Sequence, residues 1–210
     1  MRPLKLAGLL LFISSVMCML GFVAAEALYP GYTLSSNKLS DLGAMAPVSI
    51  APVPASDALV HQPSSLIFNS TVFLAGVFIV TASLLFRRDS QAHIVLRNWV
   101  SKIVFLAGVG AVVVGLLTEQ MGMIHYVGAM LVFVLGPLAA VVSSRSVKPP
   151  LRYLFIILGL ISLAFVPIVT VDIMNALSTY TIAQTAGAEN MIVYPFLLWM
   201  LAFGTCLMKD

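Results

Sequence analysis

The sequence predicts an all-α integral membrane protein. It would be a six-helix transmembrane bundle, with both termini cytoplasmic and a long extracytoplasmic loop between the first two helices. Three observations carry this reading. Hydrophobic residues make up 60% of the 210-residue chain and charged residues 9%, with a mean hydropathy of +1.05. A soluble domain averages about 25% charged residues, so this chain lacks the charge to keep a fold in water. Six continuous apolar runs also approach the ~20 residues that cross a bilayer, and nearly all basic residues fall on one side of them.

The runs are taken in order. The first, 6–27, follows Arg2 and Lys5. A secretory signal core runs to about 15 residues, so the first run is read as a retained helix. A signal peptide cleaved near Ala25 and Ala27 is the alternative. The loop 28–64 opens with the turn residues Tyr29, Pro30 and Gly31. Within it, Ser35, Ser36 and Asn37 can start a short helix, with Leu39 and Leu42 as its apolar side and Gly43 as its stop. That element is expected to lie on the membrane interface. Pro47, Pro52, Pro54 and Pro63 favour an extended connector behind it.

The second run, 66–86, has a polar entrance, Ser64, Ser65, Asn69, Ser70 and Thr71. The third, 100–118, carries Gly108 and Gly110, a pattern of small residues suited to close helix packing. The fourth, 123–142, is interrupted by Gly136-Pro137. The fifth, 153–171, ends near Pro167, and a polar loop from Asp172 to Asn190 leads to the sixth, 191–208. The runs are continuous, not alternating, so barrel strands are excluded.

With the N-terminus inside, ten of the eleven basic residues fall on the cytoplasmic side, Lys38 being the exception. Positive residues on short loops set orientation. The formal charge of +3 is therefore explained by sidedness and calls for no nucleic-acid partner. Glu26, Asp41, Asp57, Glu119, Asp172 and Glu189 fall on the opposite side, with His61 and His125. Cys18 and Cys206 sit inside apolar runs and read as small buried hydrophobes.

Chemistry therefore concentrates at the outer ends of the helices. Glu26, Glu119, Asp172 and Glu189 stand at or near such ends, and helix ends of one bundle are neighbours. Each acid could equally be solvated at headgroup level. Asn69 and His125 lie about one turn inside their spans. Polar groups facing a bundle interior mark sites, because exposure to lipid is costly. His125 could be a helix-start histidine bonded to a loop. It could also be a proton donor, a metal ligand or a partner of Glu119 or Asp41. Zinc needs three or four N, S or O ligands, and no such set is spaced in the sequence, so no metal site is assigned. Adjacent Ser40 and Asp41 point differently on a short helix, which disfavours a Ser40–His125–Asp41 triad.

EALYPGY followed by SDLG, the IFNST entrance, GLLTE leading to IHYVGAM, and ENMIVYPFLLWM together resemble the six-span prokaryotic membrane family called domain of unknown function 998. The resemblance covers nearly the whole chain. It implies fold and membrane location, and no established activity. It draws attention to Glu26, Tyr29, Pro30, Tyr32, Asn37, Ser40, Asp41, Gly43, Asn69, Glu119, His125, Glu189, Tyr194 and Pro195. The resemblance also implies a basic residue after the last glutamate and a proline at position 118. This chain has Asn190 and Thr118, which leaves no Glu–Arg pair at that surface.

Three classes of function follow. In the first, the outer face forms a polar pocket binding a lipid headgroup, small solute or cation, through Glu26, Tyr32, Asn37, Ser40, Asp41, Asn69, Glu119, His125, Glu189 and Tyr194. The same pocket could be a lipid-active hydrolase, with His125, Asp41 and Glu119 as catalytic candidates. The chain could also be a non-catalytic accessory subunit, its polar surface docking a protein partner. No span carries a mid-membrane charge, which argues against a proton-coupled carrier. The lipid bilayer is the one partner the sequence names, and no cofactor is assigned.

Overall fold

The computed structural model describes residues 2–34, 37–44, 62–89, 92–118, 121–179 and 187–209, without the side chains of 62, 172 and 175–179. Six α-helices fill it: α1 (Pro3–Ala27), α2 (Gln62–Arg88), α3 (Ser101–Leu116), α4 (Met123–Ser143), α5 (Leu151–Thr179) and α6 (Ala188–Lys209). Among the described residues there is no strand. Six helical stretches are long and apolar enough to cross a membrane, the third being α3 together with the turn 96–100 before it.

Each boundary has a local cause. Pro3 begins α1, where its missing N–H is no loss. Arg87 and Arg88 close α2 and complement its dipole. A π-helical turn, Leu96–Val100, leads into α3, so helical structure starts before the apolar run at 100. Extended backbone at Leu117 stops α3, and Gly122, with φ +60°, turns the chain into α4.

The fifth helix corrects the sequence reading. It runs past 171 to Thr179, through a segment expected to be loop. No proline or glycine interrupts 172–186, and the first residue to break the pattern is Gly187, with φ +86°, directly before α6.

The helices form a closed ring. Each packs on the next in sequence, and α6 closes against α1. At that seam, a Cβ on Gly8 would lie 2.6 Å from the Gly204 carbonyl, and one on Gly204 would lie 2.6 Å from the Gly8 carbonyl. Only glycine allows this crossing. Ser15 Oγ donates to the Leu197 carbonyl (2.7 Å), and Ser162 on α5 donates to the Ile192 carbonyl (2.8 Å). Such bonds join helices where the hydrophobic effect gives little. Gly110 meets Gly128 across α3 and α4 in the close packing expected of the third run.

The end away from the first loop is plugged. Trp199 stacks on Phe203 (5.2 Å) and Phe196 (5.6 Å), and Phe155 packs edge-on against Phe203 (5.7 Å), with Phe86 beyond. Trp199 Nε1 donates to Ser143 Oγ at 3.0 Å, satisfying its one polar atom. At this end Asp89, buried, accepts the Leu4 N–H (3.2 Å) and lies 3.7 Å from Arg2, fixing the start of α1.

Candidate ligand-binding site

The SDLG segment is a single 3-10 turn, Ser40–Gly43. It was expected on the interface, but Leu42 is fully buried and Leu39 nearly so, and the turn caps the ring from above. Its own loop shapes it. Asp41 accepts the Lys38 N–H (2.9 Å) and the Asn37 amide (3.3 Å), while Asn37 Oδ1 accepts the Thr33 N–H (3.1 Å). These side chains supply the bonds that a short loop cannot make with its backbone.

Two helices hold the cap down. On α2, Ser64 Oγ donates to the Leu42 carbonyl (3.2 Å) and Asn69 Nδ2 to the Gly43 carbonyl (2.9 Å). A side chain at Gly43 would strike Asn69 Oδ1 at 2.6 Å, so the closeness requires glycine. On α6, Glu189 receives both the Ser40 N–H (2.9 Å) and the Ser40 hydroxyl (3.2 Å).

Beneath the cap, the ring centre is a cavity. Its volume is about 90 Å³. Alanines keep it open: Ala75 on α2, Ala107 and Ala111 on α3, and Ala129 on α4. Phe22, Phe68, Phe133 and Phe196 complete much of its wall. The polar side chains on it are few and belong to Ser40, His125, Tyr126 and Glu189, with Cys18 deeper on α1.

His125 Nδ1 lies 2.6 Å from the Leu117 carbonyl. A carbonyl only accepts, so the proton is assigned to Nδ1, and Nε2 of a neutral ring is an acceptor. The ring also meets Tyr126 edge-on at 5.9 Å. The loop-bonded reading of this histidine thus describes one nitrogen, while the side chain as a whole lines the cavity.

The remaining candidates divide into groups. Glu26 closes α1 and accepts the Tyr194 hydroxyl at 3.4 Å. Tyr32 donates to the Lys38 carbonyl (3.3 Å) and packs edge-on against Tyr29 (5.6 Å). Burial, then the charge of Glu26, holds the Tyr32 phenol well above its ordinary range. Asn37, Asp41 and Asn69 build the cap, and none of them lines the cavity. Glu119, Asp57 and His61 lie outside the described residues, as does the Asp172 side chain.

A Ser–His–acid relay is not assembled. Glu189 holds Ser40 directly, Asp41 is engaged by its own loop, and His125 turns Nδ1 to a backbone carbonyl. Among the described residues no three His, Cys, Asp or Glu side chains come together as metal ligands.

Sequence reasoning passed over two features. The cavity-lining alanines and phenylalanines carry no signal of their own in an apolar run. Asn190 was noted only as a departure from the expected basic residue. It is buried at 4% exposure, and among the described residues neither polar atom of its amide has a hydrogen-bond partner. It faces the Tyr32 hydroxyl beyond hydrogen-bond geometry.

A closed ring of six apolar helices around a capped cavity defines a polytopic membrane protein. The chain belongs to the family described as Protein of unknown function (DUF998), whose model matches residues 12–205. Comparison with curated proteins and with solved structures gives no significant match.

Proposed function

We propose that the protein binds an amphiphile. The cavity takes an apolar chain, and the rim of Ser40, His125 and Glu189 takes the polar group joined to it. In this reading the chain sits in the cell membrane with its termini in the cytoplasm and the cap facing outward. One observation carries it: the cavity is apolar along its walls and polar only where the cap meets α4 and α6. A hydrated solute would find few partners along those walls, whereas an alkyl chain needs none. The aromatic plug at the far end favours binding over passage.

The test is lipid mass spectrometry on detergent-purified protein, beside an Ala111→Phe variant that fills the cavity. Wild type should carry a stoichiometric amphiphile, and the variant should lose it while remaining monodisperse. An empty wild type, or equal retention by the filled variant, would sink the proposal. Elemental analysis of the same samples addresses the hydrolase reading, which stoichiometric zinc lost in His125→Ala would favour. Orientation is checked by impermeant thiol labelling of Lys38→Cys against His93→Cys, with Cys18 and Cys206 replaced by alanine. The proposal requires Lys38→Cys to be labelled from outside.

A further inference from the structure

Beside the cavity mouth lies a second polar cluster that the cap does not use. Glu189 and Asn190 are consecutive in the first turn of α6, so they face different neighbours. Glu189 turns to the cap and cavity. Asn190 turns to Tyr32, whose other electrostatic neighbours are Glu26, Asp41 and Tyr194. Tyr194, one turn beyond Asn190, donates to Glu26.

The cluster offers the Glu26 carboxylate and both ends of the Asn190 amide. The Glu26 carboxylate receives one hydrogen bond, from Tyr194, and retains lone pairs for more. Among the described residues the Asn190 amide oxygen has no donor, although the side chain is buried. Buried amides are normally satisfied, and the exceptions call for a partner. Glu26, Asp41 and Glu189 set a negative field.

Resting on the amphiphile reading above, we infer that this cluster seats a primary ammonium group carried by the headgroup of the bound amphiphile. An ammonium brings three N–H donors and no acceptor. It would donate to Asn190 Oδ1, to the Glu26 carboxylate and to a phenol oxygen, with the Tyr29–Tyr32 pair adding ring faces that attract cations. Asn190 Nδ2 then remains to donate to an oxygen of the same headgroup. An anionic headgroup would bring no ammonium to the Glu26 carboxylate.

The experiment is an equimolar competition, read by native mass spectrometry on the purified full chain. The probes are lysophosphatidylethanolamine and lysophosphatidylglycerol of the same acyl chain. The ethanolamine lipid should be retained at least about tenfold more than the glycerol lipid, as expected for hydrogen bonds to a charged group. Equal retention would overturn this inference and leave the amphiphile reading standing. Retention of neither overturns both. Two variants sharpen the result. Glu26→Gln weakens the acceptor set, and Asn190→Lys places a built-in ammonium where the headgroup would sit. Each should bring the preference close to unity without lowering retention of the glycerol lipid. A merely structural contact would lower both lipids together.

Discussion

Glu189→Gln tests how the cap is held. The carboxylate accepts two hydrogen bonds from Ser40, at 2.9 and 3.2 Å, and is 8% exposed. An amide in the same shape keeps its oxygen on the Ser40 N–H and turns its own N–H to the Ser40 hydroxyl, which can accept it. The variant exchanges two hydrogen bonds to a charged group for two neutral ones, a loss of about 1.5–3 kcal/mol over the pair. The bonds from Ser64 and Asn69 remain, so the loss falls on local opening of the cap and not on the bundle. At about 1.4 kcal/mol per tenfold, amide exchange in residues 37–44 should quicken roughly ten- to hundredfold. Hydrogen exchange with mass spectrometry on the detergent-solubilised chain reads this directly. Exchange in the helices should stay as in wild type, and Ser40→Ala, which removes only the longer bond, should have the smaller effect. Unchanged exchange in residues 37–44 would refute Glu189 as the tether. Faster exchange throughout would place its role in the bundle instead.

Other outcomes follow from the same geometry. Trp199→Ala should cost about 3–5 kcal/mol by emptying the aromatic plug. Trp199→Phe should cost only about 1 kcal/mol, since Ser143 keeps its bond to the Ala140 carbonyl; thermal unfolding in detergent compares the two. Gly204→Val drives a side chain into the Gly8 carbonyl, which a rotamer change cannot relieve, and should destroy the monodisperse peak in size exclusion. The Tyr32 phenol is raised by burial and by Glu26, so the folded state holds its proton more tightly than the unfolded chain does. Stability from this group is complete below the ordinary phenol pKa of ~10 and is lost as pH rises above it. Tyr32→Phe should remove that part of the alkaline fall in a Tm-against-pH series.

The membrane fold was legible because lipid imposes one rule on every span. Continuous apolar runs bounded by charges can only be helices, and Gly108 and Gly110 announced close packing. The end of α5 was not legible, since Asp172 and Asn175 look like loop residues although nothing near them breaks a helix. The polar half of the site was partly legible. Ser40, His125 and Glu189 stood out because polar groups near helix ends are rare in this composition. Its apolar half was hidden: Ala111 facing a cavity and Ala111 facing lipid are the same letter. Asn37, Asp41 and Asn69 were read as binding residues, and their bonds in the structure run to the cap, because a polar side chain at the membrane surface serves architecture and recognition with the same bonds.

The ring also carries a consequence for synthesis. Five of its six contacts join neighbours in sequence and can form as each helix leaves the translocation machinery. The sixth joins α1 to α6 across almost the whole chain, as the Ser15–Leu197 bond shows. Until α6 arrives, the cavity lacks a wall and the cap lacks Glu189. The capped cavity is thus the last part of the protein to exist, and a chain shortened before α6 would expose the Gly8 face of α1 to lipid, a seam with nothing to close on.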